Sequence, residues 1–154
     1  GSYVNSTLAK REASRDGYDE AILLDTEGFV AEGTGQNVFL VRHGALLTPP
    51  PGSILPGITR DTILLQAAAH SIPAAEQQLT RDMLLLADEV FLTGTASEVT
   101  PVVEVDRCVI GDGTPGPVTR HLQQAYFELV RGQGDGSHPP DWLSSVSPTA
   151  AARS

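Results

Sequence analysis

The chain has 154 residues, 40% of them hydrophobic, which suits a single domain with a hydrophobic core or a piece of a larger domain. Its net charge of −9 argues against nucleic acid as a partner and is common in soluble cytoplasmic proteins. One cysteine excludes an internal disulfide, the four histidines are scattered without zinc-ligand spacing, and no apolar run reaches membrane-spanning length.

The N-terminal part predicts a helix followed by an antiparallel meander. Residues 3–15 have helical periodicity, with Val4, Leu8 and Ala9 on the apolar face. Short strands are predicted at 21–24, 29–31, 38–41 and 45–48. The stretch 32–37 is predicted to interrupt a strand that then continues at Val38, because glycine inside a strand often marks a bulge or a close approach.

The C-terminal part alternates helices and strands. A helix over about 58–70 has Thr59 or Asp61 available as its cap. The remaining predicted elements are a weak strand at 73–79, a short helix at 80–86, strands at 89–93 and 99–105, and a helix at 117–130. The inward face predicted for the last helix comprises Leu122, Ala125, Tyr126, Leu129 and Val130. Residues 132–154 are predicted to be a tail, in which only Trp142-Leu143 could dock.

Three stretches could meet one anion-bearing ligand. Glu32 is a lone carboxylate before Gly-Thr-Gly at the end of an apolar segment. Leu55-Pro56-Gly57-Ile58-Thr59 places a glycine before a helix, whose first N–H groups are unpaired and suit a phosphate. Leu92–Ser97 is a hydroxyl-rich loop after an apolar strand, a common place for phosphate or carboxylate contacts. Each signal also fits an ordinary surface turn, and only their joint occurrence favours a site.

A ligand that needs both a carboxylate and anion-binding loops carries a protonatable nitrogen and an anionic group. Pyridoxal phosphate has both features, since a carboxylate beside its ring nitrogen keeps that nitrogen protonated. The residues therefore make this cofactor attractive without singling it out.

Several motifs together resemble the branched-chain amino acid aminotransferases, which are fold-type IV, class-IV enzymes. The resemblance runs collinearly from residue 1 to about 131. The matching segments are Ser2–Ser6, Ala21–Asp25, Ala31–Phe39, Leu55–Asp61, Ala87–Pro101 and Gly116–Thr119. The Gly-Thr-Gly-Gln-Asn after Glu32 is more similar to the branched-chain group than to D-amino acid aminotransferases or aminodeoxychorismate lyases.

The resemblance implies a role for seven residues. Glu32 would pair with the pyridine nitrogen, and Tyr3 would hydrogen-bond the phenolic oxygen of the cofactor. Ile58 and Thr59 would present backbone N–H groups to the phosphate. Leu55 would pack against the ring, Thr95 would add a hydroxyl to the phosphate, and the Thr95–Ala96 backbone would lie near the substrate carboxylate. Structural roles are implied for a further set: Asn37 in loop hydrogen bonds, Arg60 and Asp61 as a capping pair, and Glu98 in an ion pair.

The same resemblance implies what to expect of the whole protein. The fold would be α/β, the large domain of the fold-type IV architecture, with a mixed sheet curled into a pseudo-barrel and helices outside. The reaction would be transamination of branched-chain L-amino acids with 2-oxoglutarate, in a homodimer. The only lysine, Lys10, does not match the catalytic position. We therefore expect no catalytic residue in this chain, with the Schiff-base lysine and a smaller N-terminal domain located upstream of Gly1.

Two other interpretations stay open on the sequence. One is another fold-type IV enzyme, either a D-amino acid aminotransferase or an aminodeoxychorismate lyase. The other is a non-catalytic module that retains the cofactor loops but has lost the lysine.

Overall fold

A computed structural model describes residues 2–133, and describes side chains from Val4 onward. The tail prediction for 134–154, including Trp142-Leu143, lies outside this range. Within it are four helices: α1 Ser2–Arg15, α2 Ile58–Ala69, α3 Arg81–Leu85 and α4 Pro117–Val130. Nine strands accompany them: β1 Ile22–Leu24, β2 Val30–Gly33, β3 Asn37–Arg42, β4 Ala45–Thr48, β5 Ala74–Glu76, β6 Glu89–Gly94, β7 Glu98–Val102, β8 Glu104–Val105 and β9 Cys108–Val109.

Seven strands form one sheet that branches at β3. Along one path the order is β1-β2-β3-β4-β5, while β6 pairs with β3 and β7 pairs with β6. All pairs are antiparallel except β4 with β5, so the sheet is mixed as predicted. Strands β8 and β9 form a separate hairpin.

Both faces of the central strands are buried, because successive side chains of a strand point to opposite sides. On one side, Phe39 and Phe91 stack with ring centroids 5.0 Å apart, and pack with Ile63 of α2 and Leu122 of α4. On the other side, the neighbouring β3 and β6 residues pack against the segment that carries α3. That second cluster comprises Val30, Val38, Leu40, Leu79, Leu84, Ala87, Val90, Leu92 and Ile110. The face with Phe39 and Phe91, which α2 and α4 cover, is called the helix-covered face below, and it also carries the candidate site.

The stretch 32–37 is a hairpin, so the predicted continuation of one strand through it is wrong. Glu32 is the third residue of β2, and it lies directly opposite Asn37, the first residue of β3. The Gly33 N–H donates to the Gln36 carbonyl at 2.7 Å and closes the turn. The chain therefore reverses direction between Gly33 and Gln36.

Other differences concern exposure and strand ends. Val4, Leu8 and Val130 are exposed, although the sequence pattern predicts all three on apolar faces. The strand predicted at 99–105 ends at Val102, since Glu104–Val105 pairs with Cys108–Val109 instead. No helix in the described range 2–133 is long and apolar enough to cross a membrane.

Candidate cofactor-binding site

Three polar side chains form a row across the end of the sheet. Asn37 of β3 is directly opposite Glu32 of β2 on one side and Thr93 of β6 on the other. Residues directly opposite in antiparallel strands have side chains on the same face, with Cβ atoms about 5 Å apart. Since Asn37 and Thr93 are two residues from Phe39 and Phe91, the row lies on the helix-covered face.

Glu32 is half-buried, and the main chain of Leu55 binds it. The Leu55 N–H donates to Glu32 Oε2 at 3.0 Å. Within the described residues, Glu32 Oε1 has no hydrogen-bond partner, so it remains available to accept from a protonated nitrogen. Leu55 itself is 70% exposed, a position consistent with contact to a bound ring.

Helix α2 begins three residues after Leu55 and offers an anion site. Gly57 is the N-cap, and the first helical hydrogen bond runs from the Asp61 N–H to the Gly57 carbonyl at 3.0 Å. The N–H groups of Ile58, Thr59 and Arg60 precede that bond and are free of helical partners. They point outward at the positive end of the helix dipole, where a phosphate binds favourably.

The prediction that Thr59 or Asp61 caps α2 is wrong. Thr59 and Asp61 both lie inside the helix, and no side chain caps it. A side-chain cap would occupy the N–H groups that an anion could bind, whereas glycine leaves them open. The Thr59 side chain is buried, while Ile58 is 83% exposed at the mouth of the site.

The β6–β7 turn carries the other predicted ligand contacts. Thr95 and Ala96 are exposed at its tip, and the Thr95 hydroxyl has no partner within residues 2–133. Gly94 packs closely on the β2–β3 turn, because a Cβ there would lie 3.3 Å from the Gly35 carbonyl oxygen. The two turns therefore adjoin.

The residues with implied structural roles are mixed in outcome. Asn37 does make a loop hydrogen bond, from Nδ2 to the Leu55 carbonyl at 3.1 Å. Arg60 and Asp61 form an ion pair at 3.4 Å, and the buried Arg60 also reaches Glu76 at 3.3 Å and the Pro49 carbonyl at 2.9 Å. No basic side chain in the described range pairs with Glu98, and its ion pair stays a prediction.

Lys10 forms an ion pair within the chain, from its Nζ to Glu20 Oε2 at 3.0 Å, on an exposed surface of α1. The expectation that Lys10 is not the catalytic lysine stays a prediction. The prediction for Tyr3 concerns a side chain outside the described ones, and it stays a prediction.

Sequence reasoning missed the contacts of Glu20. Its carboxylate accepts hydrogen bonds from Lys10 of α1, from Thr34 in the β2–β3 turn and from the Ala21 N–H. Burial alone would raise the pKa of Glu20, but these three hydrogen bonds and the charge of Lys10 lower the pKa below its usual value. No local pattern could have indicated this cluster, because 24 positions of sequence separate Lys10 from Thr34.

The residues of this row and of α2 fit pyridoxal phosphate. A half-buried carboxylate has one free oxygen, and a helix N-terminus without a side-chain cap lies a few residues along the same segment. At most about 10 Å of extended chain separates Leu55 from Ile58. The donor types match a ring nitrogen and a phosphate, respectively.

Comparison with known proteins finds the same relatives by sequence and by structure. The chain is 53% identical over 146 residues to a branched-chain-amino-acid aminotransferase from Pseudomonas aeruginosa, covering 95% of this chain and 47% of that protein. It is 48% identical over 148 residues to the enzyme of that name from Escherichia coli strain K12, covering 96% and 47%. The chain thus spans about half the length of these curated relatives.

Among solved structures, the branched-chain amino acid aminotransferase from Escherichia coli matches with a TM-score of 0.84 and 48% identity, covering 92% of this chain and 47% of that one. The enzyme of that name from Thermobaculum terrenum, in its PLP-bound holo-form, gives a TM-score of 0.82 and 47% identity, covering 85% and 43%. These matches confirm the predicted α/β fold. The amino-transferase class IV family model matches residues 1–105, and the chain belongs to that family.

Proposed function

We propose that the protein to which this chain belongs transfers an amino group between branched-chain L-amino acids and 2-oxoglutarate with pyridoxal 5'-phosphate. The observation that carries the proposal is the carboxylate of Glu32, joined through Leu55 to the open N-terminus of α2. The relatives at about 50% identity, named branched-chain aminotransferases, support the substrate class.

Each proposed role follows from chemistry at a named atom. When bound, pyridoxal phosphate supplies an electron sink for the reacting carbon. Glu32 Oε1 would hold a proton on the ring nitrogen, while Oε2 stays on the Leu55 N–H. The N–H groups of Ile58 and Thr59 would bind the phosphate, with the Thr95 hydroxyl added. Exposed Leu55 would pack against the ring, and the Thr95–Ala96 backbone would receive the substrate carboxylate.

The remaining expectations for the whole protein are also proposals. Residues 1–131 would form its C-terminal cofactor-binding domain, and 132–154 a tail. Tyr3 would bind the phenolic oxygen. The Schiff-base lysine and a smaller N-terminal domain would be supplied by the longer protein, so residues 1–154 alone would not transaminate. A homodimer in the cytoplasm is proposed on the family resemblance and the acidic composition.

Glu32→Gln in the full-length protein tests the central role. A neutral amide cannot hold the ring nitrogen protonated, so we expect kcat to fall at least about tenfold while the thermal midpoint changes little. Glu27→Gln is the matched control, since Glu27 is an exposed carboxylate on the neighbouring hairpin. Turnover in Glu32→Gln equal to that of the control would refute the role of Glu32.

A substrate panel on the same protein tests the reaction itself. We expect amino transfer from L-leucine, L-isoleucine or L-valine to 2-oxoglutarate. Activity restricted to D-amino acids or to aminodeoxychorismate would favour another fold-type IV enzyme. No turnover of any of these, with the cofactor bound, would favour a non-catalytic module.

A further inference from the structure

Asn37 is a buried polar residue at the centre of the row, and the proposed chemistry does not use it directly. Only 6% of Asn37 is exposed, and it belongs to neither of the two apolar clusters. It lies between Glu32 and Thr93 on the face where α2 begins. Burying an amide without hydrogen-bond partners is costly, so the contacts of the Asn37 side chain are informative.

The main chain of Leu55 is held twice by this row. Its carbonyl accepts from Asn37 Nδ2 at 3.1 Å, and its N–H donates to Glu32 Oε2 at 3.0 Å. Since Glu32 and Asn37 are directly opposite each other, the two bonds act at neighbouring points of the sheet. The segment before α2 is therefore tied to β2 and β3 through one residue's backbone.

Gly57 provides an independent second contact with the same amide. Its φ of −116° and ψ of 124° are ordinary extended values, so backbone conformation does not require glycine there. A Cβ at Gly57 would instead overlap Asn37 Oδ1 and would lie 3.2 Å from Asn37 Cγ. The Asn37 side chain thus occupies the space that any other residue at the N-cap of α2 would fill.

We propose that Asn37 is a positioning residue of the cofactor site. It sets the distance between the Glu32 carboxylate and the free N–H groups of Ile58 and Thr59. A ligand that binds both ends, through a ring nitrogen and a phosphate, must match that distance. Asn37 touches no part of such a ligand and acts through Leu55 and Gly57. This role of Asn37 rests on the proposed function and adds a residue to the proposed cofactor site.

The test measures how much the phosphate contributes to binding. Full-length apoprotein is titrated with pyridoxal phosphate and with pyridoxal. The readout is the dissociation constant of pyridoxal divided by that of pyridoxal phosphate. Asn37→Ala frees the start of α2 from the sheet, so we expect this ratio to fall about tenfold, the equivalent of one hydrogen bond of about 1.4 kcal/mol. A general loss of stability would weaken the binding of both ligands equally and leave the ratio unchanged.

The chain offers a matched control in Asn5, its other asparagine, which is exposed on α1. Asn5→Ala should keep the wild-type ratio. If Asn37→Ala does not fold, Asn37→Ser replaces it, because serine also lacks the amide that reaches Leu55. A ratio in the Asn37 variant equal to that of Asn5→Ala overturns the inference and leaves the proposed function standing. A wild-type protein that binds both ligands equally overturns both.

A double-mutant cycle tests the contact with Gly57. Gly57→Ala should lower the same ratio in the wild-type background, because the added methyl displaces the Asn37 amide. In the Asn37→Ala background that space is vacant, so Gly57→Ala should add less than about a threefold further loss. Equal losses in the two backgrounds would show that the glycine at position 57 is not needed to make room for the Asn37 side chain, and would overturn the inference.

Discussion

Glu89 is a buried carboxylate at the N-terminus of α4, and Glu89→Gln gives a test of the fold away from the cofactor site. Glu89 is 6% exposed at the start of β6. Its Oε2 accepts from the Thr119 N–H at 2.7 Å and from Thr119 Oγ1 at 2.6 Å, while Oε1 accepts from the Val118 N–H at 3.1 Å. A strand carboxylate thus replaces the side-chain cap that Gly116 cannot supply.

The cost of Glu89→Gln follows from that geometry. An amide has one oxygen, so its NH2 group must face at least one donor, and the Val118 bond is the weaker and the one expected to be lost. A hydrogen bond to a charged group contributes about 1.5–3 kcal/mol, and a negative charge at a helix N-terminus about 0.3–1 kcal/mol. The neutral side chain costs less to bury, which offsets part of this. We expect a net loss of about 2 kcal/mol.

Hydrogen exchange of peptides covering 117–130 in the full-length protein is the suitable assay, because it reports local opening of α4. A loss of about 2 kcal/mol corresponds to exchange roughly thirtyfold faster. Glu27→Gln again serves as the control, since its exposed side chain makes no hydrogen bond within the described range. Equal exchange in both variants would refute the capping role of Glu89.

Two further variants test other contacts. Because the pKa of Glu20 is lowered in the folded chain, its stabilisation is present above the unfolded-state pKa and is lost as pH falls through the folded-state pKa. Thr34→Val, which removes one of the hydrogen bonds to Glu20, should therefore flatten the acid-induced fall in thermal midpoint; an identical pH profile would contradict this link. Phe39→Leu removes the stack on Phe91 and should cost about 1.5 kcal/mol in urea unfolding, and an unchanged midpoint would count against any contribution of that stack.

Elements whose signals are local can be predicted from the sequence. The pattern predicts helix α4 with the bounds it has, because Pro117 suits the first helical position and Leu122, Ala125 and Leu129 recur at helical spacing. It predicts strand β6 within one residue, because the apolar run is bounded by polar and glycine residues. Such signals act within a few residues of one another.

Elements that depend on pairing cannot be predicted in the same way. The β8–β9 hairpin turns at Asp106-Arg107, with positive φ values of 48° and 65° at these two residues. Two-residue hairpin turns with positive φ at both positions prefer the pairs Asn-Gly and Asp-Gly. Asp106 fits the first position, but Arg107 occupies the second, where glycine usually gives the signal. The apolar residues of 99–105 therefore indicate one strand, although pairing with Cys108–Val109 divides them.

The candidate site shows the same limit in its connections. The three loops can be found from their residue types, and the helix N-terminus of α2 from its glycine. The backbone of Leu55 joins two of these loops, because its N–H and carbonyl bind Glu32 and Asn37. A backbone group leaves no trace in residue type, and the pairing of Glu32 with Asn37 exists only because the chain reverses between them. The reversal, which the sequence pattern presents as an interrupted strand, places the carboxylate and the amide side by side, and the geometry of the proposed site depends on it.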